Sequence, residues 1–262
     1  MDWFFFCERV TNAIWETIKP IIGTNAAASK VIRNGKKTKR IDVLAEDIVI
    51  KWLKKENISV TLISEEVGEL KIGSNPKYTV VLDPIDGTTN SIKALPFFST
   101  SIGIAQGDKI QDLIFGYVRN YLTGEVFYVN QEGAYLNERK CVSSPCTYLG
   151  RALISLYSYN YVNFYLIKKI LRKIRKMRLF GAVSIELTYV GCNKLDGLID
   201  LRGDLSITDI AAGILFLQKA GGVVSDANGD IISGKLDLKK GYSLIAAGNR
   251  ELHEKILKLL KQ

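Results

Sequence analysis

Histidine is almost missing from this sequence, which has one, His253, in 262 residues. A lone imidazole excludes an acid–base pair of histidines, and neither a G-x-S-x-G motif nor a Cys–His pair is present to supply a nucleophile. Leu252, Ile256 and Leu259 indicate a last helix, with His253 on its solvent-facing side. Any catalysis must therefore use other groups.

Cysteine is scarce too, with four residues and no C-x-x-C pair, which argues against a zinc site. Cys141 and Cys146 could form a disulfide only if the loop between them has suitable geometry. Free thiols are expected for Cys7, Cys141, Cys146 and Cys192 in a cytoplasmic protein, although some hyperthermophiles form internal disulfides.

No apolar run is long enough to span a bilayer. The apolar start at residues 3–7 is interrupted by Glu8 and Arg9 and has no cleavage site after it, so a signal peptide is not expected. Apolar residues recur there at helical spacing instead, which predicts an amphipathic first helix and a cytoplasmic protein. These residues are Trp3, Cys7, Val10, Ile14 and Ile18.

Acidic residues are outnumbered, 27 against 36 Lys and Arg, which leaves a net charge of +9. Such an excess attracts nucleic acid or phosphorylated substrates. Much of it lies in residues 168–178, where apolar residues recur at helical spacing, so we expect one amphipathic helix over 160–177 with a solvated basic face. No nucleic-acid motif is present, and nucleic-acid binding is not expected.

The most informative stretch is D-P-I-D-G-T-T-N at residues 83–90, which follows a predicted buried strand at 78–82. Two carboxylates flank a proline that stiffens the turn, and Gly87 allows close approach of the backbone. Thr88, Thr89 and Asn90 are helix-capping residue types. Carboxylates bind hard cations and helix starts bind phosphate, so the stretch predicts a metal-assisted phosphate site. An ordinary Asx-rich turn is the alternative.

Two further segments place acidic groups at the ends of predicted elements. Glu65 and Glu66 follow a strand-like run at 58–63, and Asp209 opens a helix that begins T-D-I-A-A-G. Carboxylates brought together from three segments repel one another unless cations neutralise them. Oxygen ligands favour Mg²⁺, with Mn²⁺ able to substitute, and metal-activated water is left as the nucleophile.

D-P-I-D-G-T-T-N, the upstream S-E-E and the downstream T-D-I-A-A-G together resemble the inositol monophosphatase family of Mg²⁺-dependent, lithium-sensitive sugar phosphatases. Residues 37–46 resemble its archaeal branch, whose members often hydrolyse inositol 1-phosphate and fructose 1,6-bisphosphate. The resemblance covers about 31–248. It implies two or three Mg²⁺ ions, a small phosphorylated sugar or polyol as substrate, and a homodimer.

The resemblance also implies roles for individual residues. The first metal is expected on Glu65, Asp83 and the carbonyl of Ile85, the second on Asp83, Asp86 and Asp209, and a weaker third on Glu65. Thr88, paired with Asp42, is expected to orient the attacking water, so Thr88, Asp42 and Glu65 are the catalytic candidates. The N–H groups of Gly87 and Thr88 are expected to hold the phosphate.

The substrate pocket follows from the same resemblance. Asp200 matches a position that binds sugar hydroxyls, often through Glu, and Arg202 could pair with a second phosphate. Tyr157, Ser158 and Tyr159 either line this pocket or are surface residues. The sequence departs from the family pattern at Thr208, where many members have Trp, and at Ala182, where Ser is usual.

The predicted fold is α+β, and the resemblance implies a layered αβαβα sandwich. In the first half we expect a mobile basic loop at 25–38 and a helix at 38–54 with Glu46 on its solvated side, followed by an antiparallel meander. The face of that helix should comprise Ile41, Leu44, Ala45, Ile48 and Trp52. Residues 143–145 are the expected boundary between a subdomain at 1–142, which carries most metal ligands, and one at 143–262.

Two other functions stay open. A nucleotide 3′-phosphatase or NADP phosphatase of the same fold would use the same metal chemistry with a wider, base-stacking pocket. A non-catalytic protein that binds RNA or a partner through the basic helix would have no need of the carboxylate cluster.

Overall fold

The structure is a computed structural model, which describes residues 1–158 and 164–261. The chain begins with α1 (Trp3–Ile18), α2 (Asn25–Ala28), the hairpin strands β1 (Lys30–Arg33) and β2 (Lys36–Lys39), and α3 (Arg40–Lys55). Asp2 caps α1 by accepting a hydrogen bond from the N–H of Phe5, and all five apolar residues expected on its inner face are buried.

An eight-stranded sheet follows, in the order β10-β9-β8-β7-β6-β5-β3-β4. All its neighbours are antiparallel except β3 and β5, which run parallel. The short helix α4 (Thr88–Ile92) lies between β5 and β6. The strands are β3 (Val60–Ser64), β4 (Gly68–Ile72), β5 (Tyr78–Asp86), β6 (Ser99–Ala105), β7 (Leu113–Asn120), β8 (Val126–Val129), β9 (Ala134–Leu136) and β10 (Arg139–Lys140).

The second half forms a five-stranded sheet in the order β12-β11-β13-β15-β14. Its strands are β11 (Leu153–Tyr157), β12 (Lys176–Arg178), β13 (Gly197–Leu205), β14 (Val223–Ser225) and β15 (Tyr242–Ala247). Its helices are α5 (Phe164–Leu171), α6 (Val183–Gly191), α7 (Ile207–Lys219) and α8 (Arg250–Lys261). Asn249 caps α8 through the N–H of Leu252, at 2.9 Å.

The helices and sheets form five layers, which are held together by three buried clusters. One joins α1 and α3 to the first sheet, the second joins α6 and α7 to both sheets, and the third joins α5 and α8 to the outer face of the second sheet. The order is therefore helix, sheet, helix, sheet, helix, and the predicted α+β sandwich is confirmed. Among the described residues no helix is both long and apolar enough to cross a membrane. The boundary at 143–145 stays a prediction.

Two predictions about residues 25–55 were wrong, one about the loop at 25–38 and one about the buried face of α3. The segment expected to be a mobile loop forms α2 and the β1–β2 hairpin, which Arg33 ties to Glu46 (3.1 Å) and Asp47 (2.7 Å) on α3. The buried side of α3 centres on Val49 and Leu53, because both α1 and β5 pack against this helix. Of the face predicted for it, Leu44, Ile48 and Trp52 are only half-buried.

Glu46 is the second correction on α3, since it is fully buried rather than solvated. Its Oε1 accepts hydrogen bonds from the Ser64 hydroxyl (2.5 Å) and the N–H of Val67 (2.9 Å), and its Oε2 pairs with Arg33. A buried carboxylate needs such partners to offset its lost hydration. Glu46 thus joins α3 to the hairpin and to the end of β3.

The basic helix predicted over 160–177 also ends earlier than expected. Helix α5 ends at Leu171, and the chain then turns into edge strand β12, so that Met177 is exposed rather than part of an apolar stripe. The start of the predicted helix and Tyr159 lie outside the described residues.

The cysteines and the histidine differ from expectation as well. Cys141, just after β10, forms a disulfide with Cys192 at the end of α6, while Cys7 and Cys146 are free. The partners are 51 residues apart, so no local spacing indicated the pair. His253 is buried, not solvent-facing, and its Nε2 lies 2.8 Å from the hydroxyl of Ser225 on β14.

Candidate active site

The site forms where β5 leaves the first sheet. The strand continues past the predicted end at 82, through Pro84 to Asp86, and its register with β6 shifts between Asp83 and Asp86. Gly87 then adopts a φ of +84°, which favours glycine, and α4 starts at Thr88. A Cβ at Gly87 would lie 2.7 Å from the Phe97 carbonyl oxygen, so the close turn requires glycine.

Asp83 is the most enclosed of the carboxylates predicted to bind metal. It is 2% exposed, and its Oδ1 is buried without any hydrogen-bond partner among the described residues. Burial, followed by the negative charges of Glu65 and Asp86, raises the pKa of Asp83 well above its usual value. An unpartnered buried carboxylate oxygen is costly, so this atom has the environment of a cation ligand.

Asp86 is held by Ser184 of α6. Its Oδ2 accepts hydrogen bonds from the N–H (2.8 Å) and the hydroxyl (2.5 Å) of Ser184. Burial and the charge of Asp209 raise its pKa to about 8 in spite of these bonds. Ser184 therefore orients this carboxylate from the second half of the chain.

Asp209 and Glu65 complete the predicted acidic set. Asp209 lies in the first turn of α7, where its Oδ2 accepts from the N–H of Ser206 at 2.7 Å in a capping box. Burial chiefly raises its pKa to about 6. Glu65, just after β3, is an exposed residue, yet desolvation of its carboxylate, together with the charge of Asp209, raises its pKa to about 7.

The negative charges of Glu65, Asp86, Asp209 and Asp42 all raise the pKa of Asp83, so the structure places these four carboxylates close to Asp83. In this arrangement no group of three or more acidic, His or Cys side chains among the described residues is set to hold a metal ion. The oxygen-only donor set and the unpartnered Oδ1 of Asp83 nevertheless fit a hard cation such as Mg²⁺.

Thr88 and Asp42 meet as predicted. The Thr88 hydroxyl lies 2.9 Å from Asp42 Oδ1 and 3.1 Å from the carbonyl oxygen of Ile85. Asp42 is 4% exposed, and burial first, opposed by the Thr88 hydrogen bond, raises its pKa to about 8. The pair places a hydroxyl at the start of α4, next to the carboxylates.

A cavity of about 470 Å³ opens from this pair towards the hairpin. Its lining includes Asp42, Glu65 and Thr88, and also Lys30, Lys37 and Lys39 of the hairpin. None of these three lysines forms an ion pair with a described carboxylate. The cavity therefore combines acidic side chains with lysines that have no ion-pair partner among the described residues, a lining that suits an anionic ligand accompanied by cations.

The predicted substrate residues form a second group, near Asp209. Asp200 is fully buried and receives the Arg202 side chain through Nε (3.0 Å) and Nη2 (2.6 Å). The guanidinium lies over the ring of Tyr157, 4.7 Å from its centroid. Ser158 is half-buried just after β11. Arg202 thus already has a carboxylate partner, which a second phosphate would have to share.

Three polar residues at this site were not singled out from sequence: Ser184, Ser206 and Glu186. Ser206 had a local signal, since a serine three residues before an acidic residue at a helix start is a capping-box pattern. Ser184 and Glu186 had none, because Asp86, the partner of Ser184, and two of the four partners of Glu186, Ser155 and Tyr157, are remote in sequence.

The chain matches the model of the inositol monophosphatase family over residues 8–262. This chain belongs to the inositol monophosphatase family. The predicted family and enzyme class, a phosphomonoester hydrolase, are thereby confirmed.

Three similar proteins illustrate the family. A fructose-1,6-bisphosphatase/inositol-1-monophosphatase of Methanothermobacter thermautotrophicus is 37% identical, over 99% of this chain and 96% of its own. A bifunctional NADP phosphatase/NAD kinase of Methanococcus maripaludis is 35% identical over 98% of this chain, which spans 49% of that protein. A Pyrococcus horikoshii structure described as similar to inositol-1 monophosphatase superposes with a TM-score of 0.84, at 31% identity, over 98% and 97% of the chains.

Proposed function

We propose that this family member releases phosphate from inositol 1-phosphate, from fructose 1,6-bisphosphate or from both, and that it requires Mg²⁺. The observation that supports this best is the buried Oδ1 of Asp83, unpartnered among acidic groups beside the Gly87 turn. A cluster that repels itself is costly to keep unless cations bind there.

Glu65, Asp83, Asp86, Asp209 and the Ile85 carbonyl would hold two or three Mg²⁺ ions, with Mn²⁺ able to substitute. When bound, these ions would supply charge neutralisation for the phosphate and a more acidic water.

The remaining steps belong to groups of the chain itself. Thr88 would orient the attacking water, because its hydroxyl is already fixed by Asp42 at 2.9 Å. The N–H groups of Gly87 and Thr88 open α4 and would hold the phosphate oxygens. The lysines of the hairpin would draw the anionic substrate into the cavity.

Asp200 and Arg202 would bind the leaving sugar or polyol, with Tyr157 and Ser158 beside them. The bidentate pair fixes both side chains, so the sugar hydroxyls would meet a rigid group. Use of a bisphosphate would require Arg202 to bind the second phosphate while it retains Asp200.

A second candidate substrate is NADP, which the 35% identity to the Methanococcus maripaludis protein favours. The same metal ligands would serve, and the difference would lie in how the pocket receives the nucleotide.

The decisive experiment is phosphate release in Mg²⁺, with EDTA as the control, from inositol 1-phosphate, fructose 1,6-bisphosphate, 3′-phosphoadenosine 5′-phosphate and NADP. We expect turnover of the sugar phosphates that EDTA abolishes. Turnover of the nucleotides alone would mean that a nucleotide, and not a sugar phosphate, is the substrate. Turnover that survives EDTA would contradict the metal requirement. The predicted homodimer is checked by light scattering of the same preparation.

A further inference from the structure

Glu186 on α6 is a fully buried carboxylate that belongs to neither the predicted metal ligands nor the predicted substrate pocket. It accepts four hydrogen bonds. Its Oε1 accepts from the Tyr157 hydroxyl (2.7 Å) and the N–H groups of Phe180 (2.8 Å) and Gly181 (3.0 Å), and its Oε2 accepts from the hydroxyl of Ser155. None of the four donors is a cationic side chain, so Glu186 is held by geometry rather than by an opposite charge.

On one side these bonds fix residues 180–181, which pack on the turn at residues 83–90, named here the phosphate turn after its proposed role. The carbonyl of Phe180 accepts from Asn90 Nδ2 at 2.7 Å, and Asn90 belongs to α4. The carbonyl oxygen of Gly181 closes over Gly87, where it lies 3.2 Å from the position of an added Cβ. Three residues further on, Ser184 makes both hydrogen bonds to Asp86.

On the other side the same carboxylate fixes the floor of the substrate pocket. The Tyr157 hydroxyl donates to Glu186, and its ring lies under the Arg202 guanidinium. Arg202 in turn holds the buried Asp200. One carboxylate therefore connects, through a single residue in each direction, to the phosphate turn and to the Asp200–Arg202 pair.

We propose that Glu186 is a positioning residue that sets the phosphate turn and Asp86 against the Asp200–Arg202 pair. This inference rests on the proposed function, since it assigns Glu186 a role in the geometry of that same site. Its contribution is the position of its oxygens and not its charge.

Two substitutions separate position from charge. Glu186→Gln keeps an oxygen at the Oε1 position, which still accepts from three of the four donors. At the Oε2 position the new amide group can donate to Ser155 Oγ. The Ser155 hydroxyl can then donate to the Arg178 carbonyl oxygen, 3.4 Å away. Glu186→Asp keeps the charge but withdraws both oxygens by one methylene. Displacements of about 1 Å in a site can cost about 10²-fold in rate, and lost support of metal ligands costs about 10- to 100-fold in affinity or activity.

The measurements are kcat and KM for inositol 1-phosphate and fructose 1,6-bisphosphate, and the affinity of the metal-free protein for Mn²⁺ by titration. We expect Glu186→Gln to stay within about threefold of the unchanged protein, and Glu186→Asp to lose at least about tenfold in kcat and in Mn²⁺ affinity. Glu125→Gln is the matched control, because Glu125 contacts the other end of α6 through the Tyr189 hydroxyl at 2.7 Å.

Three results would overturn the inference. They are unchanged kcat and Mn²⁺ affinity in Glu186→Asp, a loss in Glu186→Gln as large as in Glu186→Asp, or the same losses in Glu125→Gln. If the unchanged protein hydrolyses none of the phosphate esters, the proposed function fails. The order of Mn²⁺ affinities among the variants still tests Glu186 in that case.

Discussion

At the scale of single residues, Asp83 carries a cost in stability that the proposed metal binding would offset. Its carboxylate is buried beside other carboxylates, and one of its oxygens has no partner among the described residues. Folding must therefore either keep a proton on this group or bury its charge, and both cost free energy of unfolding at neutral pH.

Asp83→Asn removes that cost and also removes a proposed metal ligand. We expect hydrolysis to fall below detection and the Mg²⁺-induced rise in melting temperature to disappear. Without metal, the variant should melt about a few degrees higher than the unchanged protein, because an amide carries no charge to bury. Phosphate release and thermal unfolding with and without Mg²⁺ check this. Retained turnover would contradict the ligand assignment.

Thr88→Val tests the hydroxyl that Asp42 holds. Valine has nearly the same shape but no donor, so kcat should fall about 10²-fold, the usual scale for losing a group that handles a proton. The melting temperature should change little, since Thr88 is only half-buried. Thr88→Ser, which keeps the hydroxyl, is the control and should retain most of the activity. Equal losses in both variants would argue against this role.

His253 gives a pH dependence away from the carboxylates. Burial, and then the charge of Arg250, lowers its pKa below 6.5, while Glu254 opposes this. Between the pKa of His253 in the folded chain and 6.5, the unfolded chain binds a proton at this residue that the folded chain does not. The contribution of the neutral, buried imidazole to the free energy of unfolding is therefore complete above pH 6.5 and is lost as the pH falls.

We therefore expect the free energy of unfolding of the unchanged protein to fall more steeply below pH 6.5 than that of His253→Gln. Denaturant melts of both proteins between pH 5 and 8 measure the difference, in which the titration of all other groups cancels. Parallel curves would show that His253 does not titrate differently on folding.

At the scale of elements, the β1–β2 hairpin connects an ion-paired anchor on α3 to the lining of the cavity. Arg33 ties it to Glu46 and Asp47, and the hairpin carries the three lysines that line the cavity. Two-stranded hairpins are only marginally stable by themselves, so this anchor matters.

Arg33→Ala should release the hairpin, raise KM several-fold and speed cleavage by trypsin near residues 36–40. It also leaves Glu46 buried without its cation, so some loss of stability is expected. Arg9→Ala is the control, because Arg9 pairs with Glu56 on the surface at 2.7 Å, with no contact to the cavity. A KM in Arg33→Ala equal to that of the control would remove the hairpin from substrate binding.

At the scale of the whole molecule, the Cys141–Cys192 disulfide joins the end of the first sheet to the helix layer between the sheets. Opening it releases a loop of 51 residues, which in the chain-entropy model costs about 4 kcal/mol of unfolding free energy.

Cys141→Ser should therefore lower stability by up to about 4 kcal/mol. Addition of a reductant should then destabilise the unchanged protein but not the variant. Cys146→Ser, at a free and half-buried thiol, is the control. Denaturant unfolding with and without reductant measures both effects. A reductant that changes neither protein would show that the bond does not form in solution.

The sequence by itself determined the features that depend on neighbours along the chain. The apolar face of α1, the layered fold and the 83–90 turn follow from periodicity, from turn residues or from the resemblance of short motifs, and these are local. The same motifs identified the acidic residues that the structure brings together around Asp83.

Only the tertiary structure decided the features that depend on contacts between remote segments. Glu46 is charged and lies on a helix, so its sequence neighbours indicated solvent, yet Arg33, Ser64 and Val67 surround it. The Cys141–Cys192 pair and the burial of His253 have the same origin. Glu186 completes the set, because the hydroxyls of Ser155 and Tyr157 on β11 make its burial possible together with the nearby N–H groups of Phe180 and Gly181, and no local pattern indicates the two hydroxyls.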